Sequence, residues 1–188
     1  MSHTTRSNTH MPETVSTGTV DMRLEVVVIP VSDVDRAKHF YESLGWRLDL
    51  DFTGPAGDTY RVIQFTPPGS GCSVIFGRNV TMAAPGSAQG LHLVVSDIKR
   101  VRAELVRRGV EVSEPFHDRG GVFHHADAQC QVTGLNPLRQ SYASYASFRD
   151  PDGNAWLLQE VTARLSADLK AGDTRFTSEV LQAIGISS

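Results

Sequence analysis

The chain lacks most of the features that mark a disulfide-built, nucleic-acid-binding or membrane protein. Its 188 residues hold only two cysteines, Cys72 and Cys130, too few for a disulfide framework. There is no basic surplus: 18 Lys and Arg stand against 21 Asp and Glu, a net charge of −3. Without a basic stripe, nucleic acid is not expected as a partner. The longest apolar run, Val26 to Val31, is interrupted by Pro30 and falls far short of the roughly 20 residues a membrane helix needs. Residues 1–21 contain no apolar core of a secretory signal, so the expected location is the cytoplasm. A glycine-rich phosphate loop, a serine nucleophile elbow and a catalytic carboxylate pair are all missing. What remains is an ordinary globular composition, 40% hydrophobic and 21% charged, enough for one domain or two small ones.

The ends differ from the middle. Residues 1–21 are rich in Ser, Thr and Asn, include His3 and His10, and show no apolar periodicity. They read as a flexible tail. Residues 163–188 read as a C-terminal tail with a short amphipathic helix, because Phe176, Val180, Leu181 and Ile184 share one helical face. That face packs on its own domain or on a second subunit.

The middle is a duplication. Val31-Ser32-Asp33-Val34-Asp35-Arg36 and Val95-Ser96-Asp97-Ile98-Lys99-Arg100 align at an offset of 64 residues, and the same offset brings Gly45 onto Gly109. Each copy starts with a β-branched run, 26–31 and 91–95, as strands do. An Asp follows as the acceptor for the free N–H groups of a helix start. The helical faces are Val34, Ala37, Phe40, Tyr41 and Leu44, then Ile98, Val101 and Leu105. The glycine closes each helix in a left-handed turn. Alternation in 47–52 predicts a half-buried strand, and further strands are predicted over 60–66, 72–77, 144–149 and 155–161. Each copy is a βαβββ module: module one over about 22–80 and module two over about 88–162, with a loop insert at 115–143.

A duplicated βαβββ module opening on V-S-D-[VI]-x-R and closing on Arg149-Asp150-Pro151-Asp152-Gly153-Asn154 resembles the vicinal oxygen chelate superfamily, which includes glyoxalase I, bleomycin-resistance proteins and extradiol dioxygenases. The resemblance covers about residues 23–161. It implies an α+β fold, two tandem modules forming an incomplete eight-stranded barrel around a concave pocket, and a homodimer. Metal-dependent relatives draw one ligand from the first and one from the fourth strand of each module. Those positions fall here on Val26, Ile75, Gly90 and Leu157. None of these side chains coordinates a metal, which needs imidazole, carboxylate or thiolate donors. No cofactor is therefore expected, a divalent metal being the alternative.

Strand alternation puts His92, two past Gly90, and Gln159, two past Leu157, on the pocket face. Glu160 then faces outward or toward the helix layer. His92 is a satisfied histidine of an apolar strand, a hydrogen-bonding pocket residue or a metal ligand. The insert gathers His117, Asp118, His124, His125 and Asp127. They read as loop histidines with no joint role, as an acid–base pair of His117 with His124 or His125, or as a metal site. An extended 122–126 would turn His124 and His125 to opposite sides. Imidazole suits proton transfer near neutrality, so His117 and His124 are the catalytic candidates. His92, Gln159, His117, His124 and Tyr142 are the ligand-binding candidates.

The expected function is metal-independent binding of a small apolar or aromatic molecule, as in bleomycin-resistance-type relatives. The net negative charge leans toward a cationic ligand. One alternative is an enzyme, a glyoxalase-like lyase or isomerase or a dioxygenase, using histidine acid–base chemistry or a non-standard metal site. Another is a metabolite-sensing interaction module.

Overall fold

The computed structural model describes residues 21–56, 59–120, 122–126, 128–166 and 168–186. The tail expected at 1–21, apart from Asp21, lies outside them, as do His3, His10 and Asp127. Module one runs β1 (Val26–Val28), α1 (Val34–Ser43), β2 (Arg47–Thr53), β3 (Arg61–Thr66) and β4 (Ser73–Arg78). Module two runs β5 (Leu91–Val95), α2 (Ile98–Arg107), β6 (Phe116–Asp118), β7 (Gln131–Thr133), β8 (Tyr145–Arg149) and β9 (Ala155–Glu160). The helix α3 (Ser178–Ala183) follows. The fold is α+β, with two separate sheets ordered β1-β4-β3-β2 and β5-β9-β8-β6-β7. They do not close into a barrel. No helix among the described residues is long and apolar enough to cross a membrane.

The repeat explains the shape. Asp33 accepts hydrogen bonds from the Asp35 and Arg36 N–H groups, and Asp97 from the Arg100 N–H, so both helices begin at the matched aspartates. Gly45 and Gly109 adopt φ of 77° and 85°, a left-handed turn that costs glycine little. In each module the first strand lies parallel to the last: Val26 pairs with Ser73, and Leu91 with Trp156. One face of each sheet packs into a shared core. Trp46 and Trp156 meet edge to face at 5.2 Å, and the Trp156 indole N–H donates to the Tyr41 hydroxyl, 3.2 Å away.

The joint between modules is polar and buried. The Asp150 carboxylate accepts from the Tyr41 hydroxyl (2.9 Å), the Asn154 side-chain amide (2.7 Å) and the backbone N–H groups of Asp152 (3.0 Å) and Asn154 (2.9 Å). The Asn154 amide also donates to the Pro30 carbonyl at 2.9 Å. The turn that closes module two is thus anchored on Pro30, two residues past β1.

Two expectations change. First, β2 is exposed at all seven residues instead of half-buried. It is an edge strand, and its side toward α1 is occupied by charges. Arg61 donates to Asp35 (2.8 Å) and Asp51 (3.0 Å), and Lys38 to Asp51 (2.9 Å). Second, the described chain has nine strands, because residues 116–118 extend the second strand of module two and β7 is added outside it. Phe116 pairs with Tyr145 on β8, and Val112 bridges Phe148. Residues 116–118, which the sequence placed inside the insert 115–143, are thus paired in the sheet.

Hydrogen bonds from Arg61 first, and then from Lys38, hold the Asp51 carboxyl down at about 2, against an ordinary 3.8. A carboxylate lowered on folding stabilises the fold above its unfolded value and loses that contribution as pH falls toward its folded one. Arg61→Ala is expected to cost about 1 kcal/mol at neutral pH. The difference from wild type should shrink between about pH 4 and about pH 2 in urea titrations; a gap independent of pH in that window would contradict it.

Candidate functional site

Each sheet has a second face, turned away from its helix. On module one the row Val28, Ile75, Gln64 and Leu50 crosses this face. Val28, Leu50 and Phe52 are exposed on it, and Leu48 is exposed at the β2 edge. On module two one row is His92, Leu157 and Ser147, and the next is Val94, Gln159, Tyr145 and Phe116. Unlike the first, this face is partly roofed by the chain's own insert and C-terminal segment.

The roof is held by polar contacts and by a small core of its own. Phe176, Val180 and Leu181 pack with Val122 and Tyr142. The Ser141 hydroxyl donates to the Ala163 carbonyl at 2.6 Å and accepts from the N–H groups of Thr162 and Ala163. Ile184 lies just past α3 and is exposed, and Ile186 packs on the cluster instead. Arg139 ends in a pair of hydrogen bonds on the Glu160 carboxylate, 2.7 and 3.1 Å. Glu160 is fully buried and faces the helix layer, where it accepts from the first N–H of α2, that of Ile98, at 3.1 Å.

Beneath this roof lies a cavity of about 410 Å³ between β6, the 136–143 loop and the start of α3. Its aromatic wall is Phe123, Tyr142 and Tyr145, and His117 and Asp118 line it from β6. Phe123 and Tyr142 adopt left-handed φ of 64° and 67°, a conformation rare for bulky residues and found where surroundings hold it in place. The Tyr142 carbonyl accepts from the Tyr145 hydroxyl (2.5 Å) and the Gln159 amide (3.2 Å), and its N–H donates to the Glu160 carbonyl. Burial pushes the Tyr145 phenol up to about 12; the Asp118 charge adds to this and the Gln159 contact opposes it. Tyr145 thus stays a neutral donor at physiological pH.

Asp118, last residue of β6, is the buried charge of the site, its side chain 4% exposed. Oδ2 accepts from the His125 N–H at 2.6 Å and from His124 Nδ1 at 3.0 Å. A carboxylate only accepts, so Nδ1 of His124 is the donor in this contact. Oδ1 is buried with no partner. The His124 ring rests 5.3 Å from both Phe116 and Tyr145 and is not among the residues lining the cavity.

The candidates of the sequence are therefore dispersed. His117 lines the cavity from the side of β6 opposite Asp118, its Nδ1 donating to the Gly134 carbonyl at 2.8 Å. It does not meet His124. Residues 122–126 are bent and not extended, and His125 meets Asp118 through its backbone N–H. His92 is exposed on the edge strand, one row away from the cavity. Gln159 is buried and braces the Tyr142 carbonyl. Of these candidates, only His117 and Tyr142 line the cavity. Phe123, Asp118, Tyr145, Arg119 and Glu179 line it as well. Counting alternate positions from Phe116 along β6 was the available signal for Asp118; nothing local signals Phe123.

The family model of the Glyoxalase/Bleomycin resistance protein/Dioxygenase superfamily matches residues 23–158. The chain belongs to this superfamily. Among solved structures it is similar to TnmS3, an antibiotic binding protein from Streptomyces sp. CB03234, at 28% identity over 77% of this chain and 99% of that one, TM-score 0.54. A glyoxalase/bleomycin resistance protein from the same strain matches at 29% identity over 73% and 100%, TM-score 0.51. A superfamily member from Sphaerobacter thermophilus DSM 20745 matches at 26% identity over 74% and 98%, TM-score 0.54. No curated protein matches. At the four positions that the resemblance assigns to metal ligands, this chain carries alkyl groups and a glycine. Val26 and Ile75 share the open face of module one, Leu157 sits opposite His92, and Gly90 precedes β5. These residues do not fit a metal ion, and among the described residues no three His, Cys, Asp or Glu side chains gather to hold one.

Proposed function

We propose that this superfamily member binds a small aromatic molecule, without a metal, in the cavity of module two, and that it acts by sequestration. The observation that carries the reading is the wall of three aromatic rings, Phe123, Tyr142 and Tyr145, set around a few fixed polar groups in about 410 Å³. Ligand sites are typically of this size and mix apolar walls with few placed polar groups. The similarity to an antibiotic binding protein supports the same class of ligand. Exposed Val28, Leu48, Leu50 and Phe52 on module one support a homodimer, since contiguous apolar surface marks contact sites. The chain is inferred to work in the cytoplasm.

Calorimetric titration with bleomycin and a set of polycyclic aromatic antibiotics tests the reading. At least one is expected to bind one to one, to be recovered unchanged by mass spectrometry, and to bind equally well after chelator treatment. Phe123 is exposed at 48%, so Phe123→Ala should leave the fold intact and weaken binding about tenfold. Turnover lost in His117→Ala or His124→Ala would replace sequestration by acid–base catalysis. Turnover lost on chelation would replace it by metal chemistry.

A further inference from the structure

Asp118 presents an unusual balance. A carboxylate removed from water needs its lone pairs filled, because an unmet buried charge costs far more than an unmet neutral group. Here one oxygen is filled twice and the other not at all. The two groups that fill Oδ2, the His124 ring and the His125 N–H, belong to the roof segment 122–126, and neither residue lines the cavity. Asp118 itself does, as do Phe123 and Tyr145. Oδ1 is thus the oxygen left for an occupant, in a cavity whose walls include the rings of Phe123, Tyr142 and Tyr145 together with the charged side chains of Arg119 and Glu179.

We propose that Asp118 Oδ1 is the recognition point for a positively charged nitrogen on the aromatic ligand, so that the cavity selects protonated amines or amidines carried on a flat ring system. This rests on the reading of the cavity as an aromatic-ligand site. The ligand's N–H donates to Oδ1 while its rings lie against Phe123, Tyr142 and Tyr145. A cation over aromatic faces gains further from their quadrupoles. A neutral ligand of the same shape leaves Oδ1 unfilled, and an anionic one faces the carboxylate directly. Oδ1 is closed to water, so a nitrogen bonded to it is held away from solvent. His124 stays bonded to Oδ2 and keeps the carboxylate in place.

Two dyes with one ring system test this: 9-aminoacridine, a cation at neutral pH, and acridine, neutral there. Both are titrated by fluorescence into the full chain, with anthracene-9-carboxylate as the anionic counterpart. Wild type is expected to prefer 9-aminoacridine over acridine by about tenfold or more and to bind anthracene-9-carboxylate weakest. In Asp118→Asn, checked for an unchanged melting transition, the preference for the cation should fall close to one while acridine affinity holds. Should the variant not fold, the order cation, neutral, anion in wild type carries the test alone. Equal binding of the two acridines to wild type, or a preference kept in Asp118→Asn, overturns the role of Asp118 and leaves the aromatic site standing. If none of the three dyes binds, the aromatic site falls and this proposal with it.

Discussion

Replacing Asp150 by alanine is expected to remove about 3–5 kcal/mol of folding stability, the largest loss of any single polar substitution in the chain. Its carboxylate fills four donors in the buried joint: the Tyr41 hydroxyl, the Asn154 amide, and the N–H groups of residues 152 and 154. Alanine strands all four, and three of them lie where water is excluded, with Asp150 5% exposed and Tyr41 and Asn154 fully buried. The damage spreads because Tyr41 also takes the Trp156 indole N–H. Asp150→Asn keeps one acceptor oxygen and the shape, and should cost about half as much. Urea unfolding measures both, and an unchanged denaturant slope would locate the effect in stability. A loss under about 1 kcal/mol for the alanine variant would show that the joint does not hold the modules together.

Glu160→Ala should rank second, at about 3 kcal/mol. Three parts of the chain meet on its buried carboxylate: β9, the first turn of α2 and Arg139 of the insert. A carboxylate at a helix start also meets the positive end of the helix dipole. Arg139 is held at φ 53°, a strained conformation for arginine that the ion pair keeps in place. The guanidinium is half exposed, so Arg139→Ala returns little cost on its own side, yet it leaves the Glu160 charge buried and unpaired. The double variant is therefore expected to be less damaged than the two single losses added together, with a coupling of about 1–2 kcal/mol. Purely additive losses in urea titrations would mean that the pair does not act as a unit.

Most of the fold was legible because it rests on local rules stated twice. The matched aspartates start both helices, the matched glycines end them, and the β-branched run at 91–95 and the strand predicted over 155–161 both fall on the parallel pair β5 and β9. The site was less legible, for a physical reason: it is built by the one stretch with no periodicity. Alternation separated His124 from His125 on the assumption of an extended 122–126, and the chain there is bent. The same rule applied to 116–118 separates His117 from Asp118, and therefore from His124. Left-handed Phe123 and Tyr142 run against the preference of bulky side chains, so no propensity anticipates them; Tyr142 is held by hydrogen bonds from Tyr145 and Gln159 to its carbonyl. The ion pair of Arg139 with Glu160 joins residues from different elements, which a single sequence does not reveal.

The parallel pairing of first and last strands has a consequence for how the chain comes off the ribosome. Neither sheet is complete until its final strand has been made, so β1 waits for β4 and β5 waits for β9. Module one can close while module two is still being synthesised, but its Trp46 and Tyr41 then lack Trp156 and Asp150. The early half emerges with an unsealed core, and the late half waits longer because the insert lies between its strands. Non-local pairings of this kind form slowly and leave apolar surface open meanwhile. The Asp150–Asn154 turn, made just before β9, is then the latch that seals both halves in one step.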